Sequence, residues 1–334
     1  MSRAGDTLFF ETPAYVRSYA AVTGRKEGEG PLGKCFDYVS RDNRFGRKTW
    51  EQAESHMVEK AVELALQKGE LTAADLSCAM GGDLLNQCIA TSFGMRSVGA
   101  PFFGLYGACS TMAEGLILSA MLISGGFMQA ALCTAASHFC SAERQYRYPL
   151  EYGGQRPPTA QWTATACGAV ILSPQPSAVR ITAATAGRIY DPGVTDAANM
   201  GAAMAQSAYE TLSSFFRDSG SRPEEYDLIV TGDLAAVGHD VVVRLFHDDG
   251  VDIGANYRDC GMMLYDDAQD VHAGASGCGC SGAVLCGHIL PSMEQGLYRR
   301  VLFCATGALM SPLSTFQGES IPGICHLVRL EAKT

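Results

Sequence analysis

The chain has 334 residues, 47% of them hydrophobic, with a formal net charge of -10 at pH 7 and a pI near 5.2. That apolar content excludes a disordered chain, and the acidic balance, with no Lys/Arg cluster, excludes nucleic acid as a main partner and a polybasic grip on anionic lipid. Its 13 cysteines are odd in number and scattered through mostly apolar segments, which points to reduced, intracellular thiols, and the first residues carry no signal-peptide pattern.

In chain order, Thr7 to Phe10 reads as a strand, Pro13 as a turn and Tyr15 to Val22 as a second strand. Lys26 to Pro31 is a polar, glycine-rich loop. Thr49 is a helix N-cap with Gln52 three residues on, and Ala53, Met57, Ala61, Leu64 and Ala65 keep helical spacing until Gly69 stops the helix. A strand from Leu76 to Met80 runs into Gly81-Gly82-Asp83-Leu84. At Gly107-Ala108-Cys109-Ser110 a strand-like segment gives way to a long helical one. Gly115 to Ala142 carries no Asp, Glu, Lys or Arg, but Gly125-Gly126 divides it into a buried helix too short to span a bilayer and a buried strand, Ala130 to Ala135. Ser137-His138 ends that strand. Arg144 to Pro149 and Glu151 to Gln155 form a polar aromatic loop, Gly168 to Ser173 returns to strand, and Pro174 and Pro176 mark a boundary.

The second half repeats the first. A helix from Asn199 to Arg217 precedes a strand, Leu228 to Thr231, that runs into Gly232-Asp233-Leu234, and Cys280-Ser281 opens a helix as Cys109-Ser110 does. Cys109 to Cys133 and Cys280 to Cys304 even share one spacing. Each half ends in a strand, the second at Cys325 to Leu330. The pattern predicts an α/β chain of two duplicated halves, 1–176 and 177–334, with mixed sheets and shared buried central helices. The N-termini of the helices opening at Ser110 and Ser281 then converge on one pocket.

The chemistry centres on Cys109. A thiol in the first turn of a helix faces unpaired N–H groups, which favours thiolate; the same groups accept a carboxylate or phosphate; and a small buried residue fits the same turn. Ser137-His138 reads as a functional pair or as a satisfied structural one. Cys278, Cys280, Cys286 and His288 have a metal-like spacing, yet they fall on a buried helix and read as core, so no metal site is expected.

These features resemble the thiolase fold of thiolases and β-ketoacyl synthases, with Cys109 where the nucleophile sits. The chain also resembles the stage V sporulation protein AD family of spore-forming bacteria. The stretches that carry this second likeness are Lys26-Glu27-Gly28-Glu29-Gly30-Pro31-Leu32-Gly33, Thr49-Trp50-Glu51, Gly107 to Thr111, Ser137-His138, the loop from Arg147 to Trp162, Thr231 to Leu234, and His272 to Ser281. The resemblance implies a thiolase-like layered fold and a non-enzymatic role: binding dipicolinate (pyridine-2,6-dicarboxylate), free or as its calcium chelate, during uptake into the developing spore. It also implies membrane-protein partners of the same transport assembly, a peripheral place on the forespore or spore inner membrane through them, and a homodimer. No cofactor is expected. The expected ligand-binding residues are Cys109, Ser110, Ser137, His138, His272 and Gly279, with Arg144, Arg147 or Arg156 as candidate cations.

A condensing enzyme needs two polar partners for its cysteine. The first position here reads Asp233, which donates no hydrogen bond when ionised and raises a thiol pKa; His272 stands near the second. No catalytic residue is therefore expected. An acyl transferase using Cys109, and a scaffold with a vestigial pocket, are the alternatives.

Overall fold

Apolar runs alternate with helical periods along the chain, and a computed structural model, describing residues 1–146 and 156–333, shows how they assemble. Strands β1 (Ser2–Ala4), β2 (Thr7–Thr23), β3 (Tyr38–Val39), β4 (Cys78–Gly82), β5 (Phe102–Gly104), β6 (Ala131–Ser137), β7 (Trp162–Thr163) and β8 (Ala166–Ser173) come from the first half. Strands β9 (Val179–Thr185), β10 (Leu228–Thr231), β11 (Tyr257–Asp259), β12 (Ala275–Ser276), β13 (Arg300–Ala308) and β14 (Gly323–Ala332) come from the second. β7 and β12 pair with each other; the other strands form one sheet in which β1 and β3 flank β2.

The order of that sheet exposes the duplication. It runs β5-β4-β6-β8-β2 through the first half and β11-β10-β13-β14-β9 through the second, joined where β2 pairs with β9. In each half the first three strands are parallel and the last two antiparallel. The parallel pairs need crossover connections, and the helices supply them.

Burial shows the layers. Along β6, Ala131, Cys133 and Ala135 face a central core while Leu132 and Ala136 face an outer one; along β13, Val301, Phe303 and Ala305 face the same central core while Leu302 and Cys304 face away. The central core also holds Met112, Leu116 and Ala120 of helix Thr111–Ser124, and Ala283 and Val284 of helix Cys278–Val284. Helix Trp50–Gly69 covers one outer face and helix Met200–Ser219 the other. This is helix, sheet, paired central helices, sheet, helix.

Several sequence expectations need correction. The chain does not turn at Pro13: β2 runs through it, and the ladder to β9 is interrupted between Phe9 and Ala14, a break that accommodates a residue with no N–H. Thr49 caps its helix through Gln52 N at 3.3 Å, but Gly69 is still helical and the left-handed turn falls on Glu70 (φ 53°). Part of the expected polar loop is a helix, Phe139–Tyr146, while residues 147–155, including Arg147, Tyr148 and Pro149, lie outside the described residues. The shared cysteine spacing is not symmetry, because Cys133 faces the central core and Cys304 the outer one. The second central helix begins at Cys278, two residues early, and passes through a π turn, Leu285–Ile289, that includes Cys286 and His288.

The central helix comes this close to the sheet only because side chains are missing. A Cβ on Gly168 would lie 2.4 Å from the Gly282 carbonyl, and one on Gly279 would lie 2.0 Å from the Ala166 oxygen. Both obstacles are backbone. Gly168→Ala is therefore expected to cost roughly 1–3 kcal/mol, the range for forcing atoms into a packed core. Chemical denaturation checks this, with Gly126→Ala, where a Cβ meets nothing within 4 Å, expected to lose only the price of its positive φ.

Candidate ligand-binding site

Loops leaving the carboxyl ends of the parallel strands enclose a cavity of about 440 Å³, where open α/β sheets place ligands. Leu84 and Asn86 follow β4; Ala142, Glu143 and Tyr146 follow β6; Ala308 to Ser311 and Ser314 end or follow β13. Thr163 and Ser276, from the small β7–β12 ladder, and Ala197 and Met200 complete the wall with Tyr106, Ala108 and Cys109. Tyr146 is held by donating its hydroxyl to the Leu84 carbonyl.

Cys109 is 6% exposed and meets the cavity. The turn before it is tight: Ala108 has φ 51°, a left-handed conformation costing about 1–2 kcal/mol outside glycine. The first turn is a 3-10 turn, Ala108–Ser110, in which Ser110 N donates to Gly107 O and Thr111 N to Ala108 O. Behind Cys109 stand Cys278, whose thiol donates to Ala108 O at 3.0 Å, and Asp233.

Asp233 is 1% exposed and accepts from Thr306 Oγ1 at 2.9 Å and from Gly277 N at 2.8 Å. Burial raises its pKa from 3.8 to about 7, although the neighbouring Cys109 thiol and the hydrogen bonds from Gly277 and Thr306 oppose the rise. The Cys278 thiol, burial and the Asp233 charge together hold the Cys109 thiol well above its ordinary pKa. Of the readings open for a thiol at this turn the thiolate is the one disfavoured, in the direction expected of an acid at position 233. The helix start is there, but an acid sits behind the sulfur where activation needs a base or a cation.

Of the expected ligand residues, only Cys109 lines the cavity. Ser110 is buried and its hydroxyl donates to Gly107 O at 2.6 Å. Ser137 donates to Ala164 O and accepts from Gly279 N, so both residues fasten the second central helix to β6. Gly277 N donates to Asp233 and Cys280 N to Gly277 O, so these two amides at the start of that helix, like Gly279 N, are engaged within the fold. His138 bridges to Asn43 O at 2.8 Å, receives Cys140 N and packs on Trp50, and burial lowers its pKa. His272 donates Nδ1–H to Pro157 O at 2.7 Å, with Nε2 3.3 Å from Asp270. Arg144 pairs with Glu51, and Arg156 with Asp270 while covering Trp162. Among the described residues no group of three or more His, Cys, Asp or Glu could hold a metal ion.

Sequence reasoning missed most of the wall. Tyr106, Tyr146, Thr163, Ser276 and the 308–314 segment carry no chemical signature. Symmetry held the signal for the last of these: Ser137 ends β6, so the residues after its counterpart β13 had to reach the same opening.

A duplicated α/β chain with a cysteine at the start of a central helix is a thiolase-like protein, and solved structures agree. Cerulenin-bound Xanthomonas campestris OleA matches with a TM-score of 0.62 at 15% identity, covering 99% of this chain and 100% of that one. The 3-oxoacyl-[acyl-carrier-protein] synthase III of Aquifex aeolicus VF5 matches with a TM-score of 0.57 at 14% identity, covering 95% and 99%. These likenesses concern the fold. The model of the stage V sporulation protein AD (SpoVAD) family matches residues 4–331. The Stage V sporulation protein AD of Bacillus subtilis (strain 168) is 43% identical over 325 residues, 97% of this chain and 96% of that one. The chain belongs to the stage V sporulation protein AD family.

The raised Asp233 pKa makes stability depend on pH. Its folded value, about 7, exceeds its ordinary 3.8, so between these the native state holds a proton that the unfolded chain has lost, and stability falls as pH rises through this window. Asp233→Asn removes the dependence. The stability of this variant relative to the wild type should increase from pH 4 to pH 7 by at most about 4 kcal/mol, then level off, as read by melting temperature across pH.

Proposed function

We propose that this protein binds dipicolinate, free or as its calcium chelate, in the cavity above Cys109 and does not turn it over. The observation that carries the reading is a roomy cavity whose cysteine is backed by an acid. At about 440 Å³ the cavity lies within the usual range for small-molecule sites and accommodates a flat six-membered ring between Tyr106, Tyr146 and small residues. Membership of a sporulation family supports a ligand of the spore.

Catalysis of acyl transfer is disfavoured by the same chemistry. A thiol held in its neutral form is a poor nucleophile, and the negative charge that Asp233 carries when ionised raises the Cys109 thiol further instead of activating it. His272, the other candidate helper, is engaged with Pro157 and Asp270 away from the cavity wall.

The wall places a condition on the ligand's charge. Among the described residues lining the cavity none is basic, and Glu143 is acidic. A dianion entering here needs neutralisation, and calcium carried by the ligand provides it. Attachment to the forespore or spore inner membrane belongs to protein partners in this reading, since among the described residues no helix is long and apolar enough to cross a membrane. A homodimer through edge strand β5, where Phe103 is 53% exposed, completes the proposal.

Calorimetric titration of dipicolinate, with and without calcium and with benzoate as control, tests it. Saturable binding is expected, weakened at least about tenfold by Ala197→Trp, which puts an indole into the cavity from its wall, and more modestly by Cys109→Ala. His138→Ala and His272→Ala should change affinity by less than about threefold, because neither residue meets the cavity. Absence of binding under both conditions, or acyl-CoA turnover lost in Cys109→Ala, would refute the reading.

A further inference from the structure

The two halves leave their Gly-Asp-Leu turns by different routes. In the second, Leu234 is followed at once by the left-handed Ala235 (φ 52°), which opens helix Ala235–Asp248. In the first, Leu85, Asn86 and Gln87 intervene between Leu84 and the left-handed Cys88 (φ 50°) that precedes helix Ile89–Met95. Gln87 is left-handed as well (φ 57°), so two consecutive residues with a Cβ stand where the backbone favours glycine. The counterpart turn needs only one such residue. Strain of this kind persists only where the surroundings hold it.

The strap from Leu84 to Cys88 is anchored at both ends and latched in the middle. Buried Asp83 accepts from Leu85 N at 2.8 Å and from Thr91 N at 2.7 Å, and the Cys88 thiol donates to Leu105 O at 3.0 Å. The latch is Gln145 on helix Phe139–Tyr146: its Nε2 donates to Leu84 O at 3.0 Å, its Oε1 accepts from Asn86 N at 3.1 Å, and the Tyr146 hydroxyl donates to the same Leu84 carbonyl. The helix that carries the latch is itself fixed, by Ser141 donating to buried Glu54 at 2.6 Å and by Phe139 stacked on Trp162. Asp83 and Cys88 are buried, whereas Asn86 and Gln87 are exposed and Gln145 is half-buried, so water competes for the latch before it competes for the anchors.

We propose that the strap 84–88 is a gate on the cavity: release of the Gln145 latch relaxes the strain at Gln87, moves Leu84 and Asn86 out of the wall, and sets how fast a molecule reaches Cys109. Leu84 and Asn86 line the cavity together with Tyr106 and Cys109. Asn86, Tyr106 and Ser311 are exposed at its rim, while Cys109 lies deeper, 6% exposed. Strain favours the open arrangement and the latch the closed one, so removing one or the other moves the gate in opposite directions. The gate belongs to the cavity itself and does not depend on which ligand fills it.

The test is residue-resolved hydrogen–deuterium exchange on the full chain, with alkylation of Cys109 by N-ethylmaleimide as the measure of access and exposed Cys35 as its internal reference. Gln145→Ala should speed exchange of the Leu85, Asn86 and Cys88 amides together by about tenfold, and Cys109 alkylation relative to Cys35 by a similar factor. Leu85 and Cys88 decide the matter, because their acceptors, Asp83 and Leu85 O, are untouched by the substitution. Ala142 N, which donates to His138 O, should stay protected and so report that the helix is still folded. Gln87→Gly relieves the strain, removes only an exposed side chain, and should slow both readouts about threefold. Should Gln145→Ala not fold, Tyr146→Phe removes one bond of the latch and should speed both readouts by a smaller factor; no acceleration there overturns the inference. Faster exchange confined to Asn86, Cys109 alkylation that ignores both substitutions, or a change of the same sign in Gln145→Ala and Gln87→Gly overturns it as well.

Discussion

The close approach of the second central helix to β8, glycine on glycine, is the contact on which the rest of this structure depends. With Gly168 against Gly282 and Gly279 against the Ala166 carbonyl, backbone meets backbone where side chains would hold the layers apart. This seats the start of that helix beside Cys109 and lets Ser137 reach Gly279 N across the layers. Glycine is conformationally costly in helices and strands. Here they place two chain turns from different halves within reach of one thiol.

The stretch that marks the family serves the same end. Glu27 is buried and accepts from Thr165 N at 2.9 Å and from the Tyr265 hydroxyl, linking the first half to the second. Lys26 donates to Gln269 O and stands over Trp162; a Cβ on Gly30 would meet the Leu264 carbonyl at 2.2 Å. A run of charge and glycine that reads as a surface loop is therefore a clamp between the halves. Burial raises the Glu27 pKa, so the clamp is held by hydrogen bonds to a carboxyl that is costly to ionise.

What was legible in the sequence was what repeats. The order of helix, strand and Gly-Asp-Leu in both halves gave the duplication, and the small residues around Cys109 gave the turn. The cavity wall was less legible because it is assembled from loop positions chosen for shape: Thr163 and Ser276 meet only through a two-strand ladder, and Ala197 and Met200 arrive from a segment remote in sequence. His138 and His272 misled for a related reason. A polar residue beside a strand signals a site only if its side chain turns into the opening, and both of these hold one nitrogen on a carbonyl elsewhere, with the other on Cys140 N for His138 and facing Asp270 for His272. Cysteine spacing misled because one residue in a strand reverses the face, which puts Cys304 on the opposite side from Cys133.

The fold matches that of a 3-oxoacyl-[acyl-carrier-protein] synthase III, while the electrostatics around Cys109 work against activation of its thiol. Activation of a thiol needs positive potential or a neutral base; this site supplies a second thiol, an acid raised toward neutrality, and a further acid behind it. The same negative field is an obstacle to any anion that the cavity receives. A wall that has no basic side chain among its described residues is compatible with a cation brought by the ligand. A permanent arginine would hold a dianion in this cavity more tightly; without one among the described lining residues, the charge of an anionic ligand has to be balanced by a cation that arrives with it.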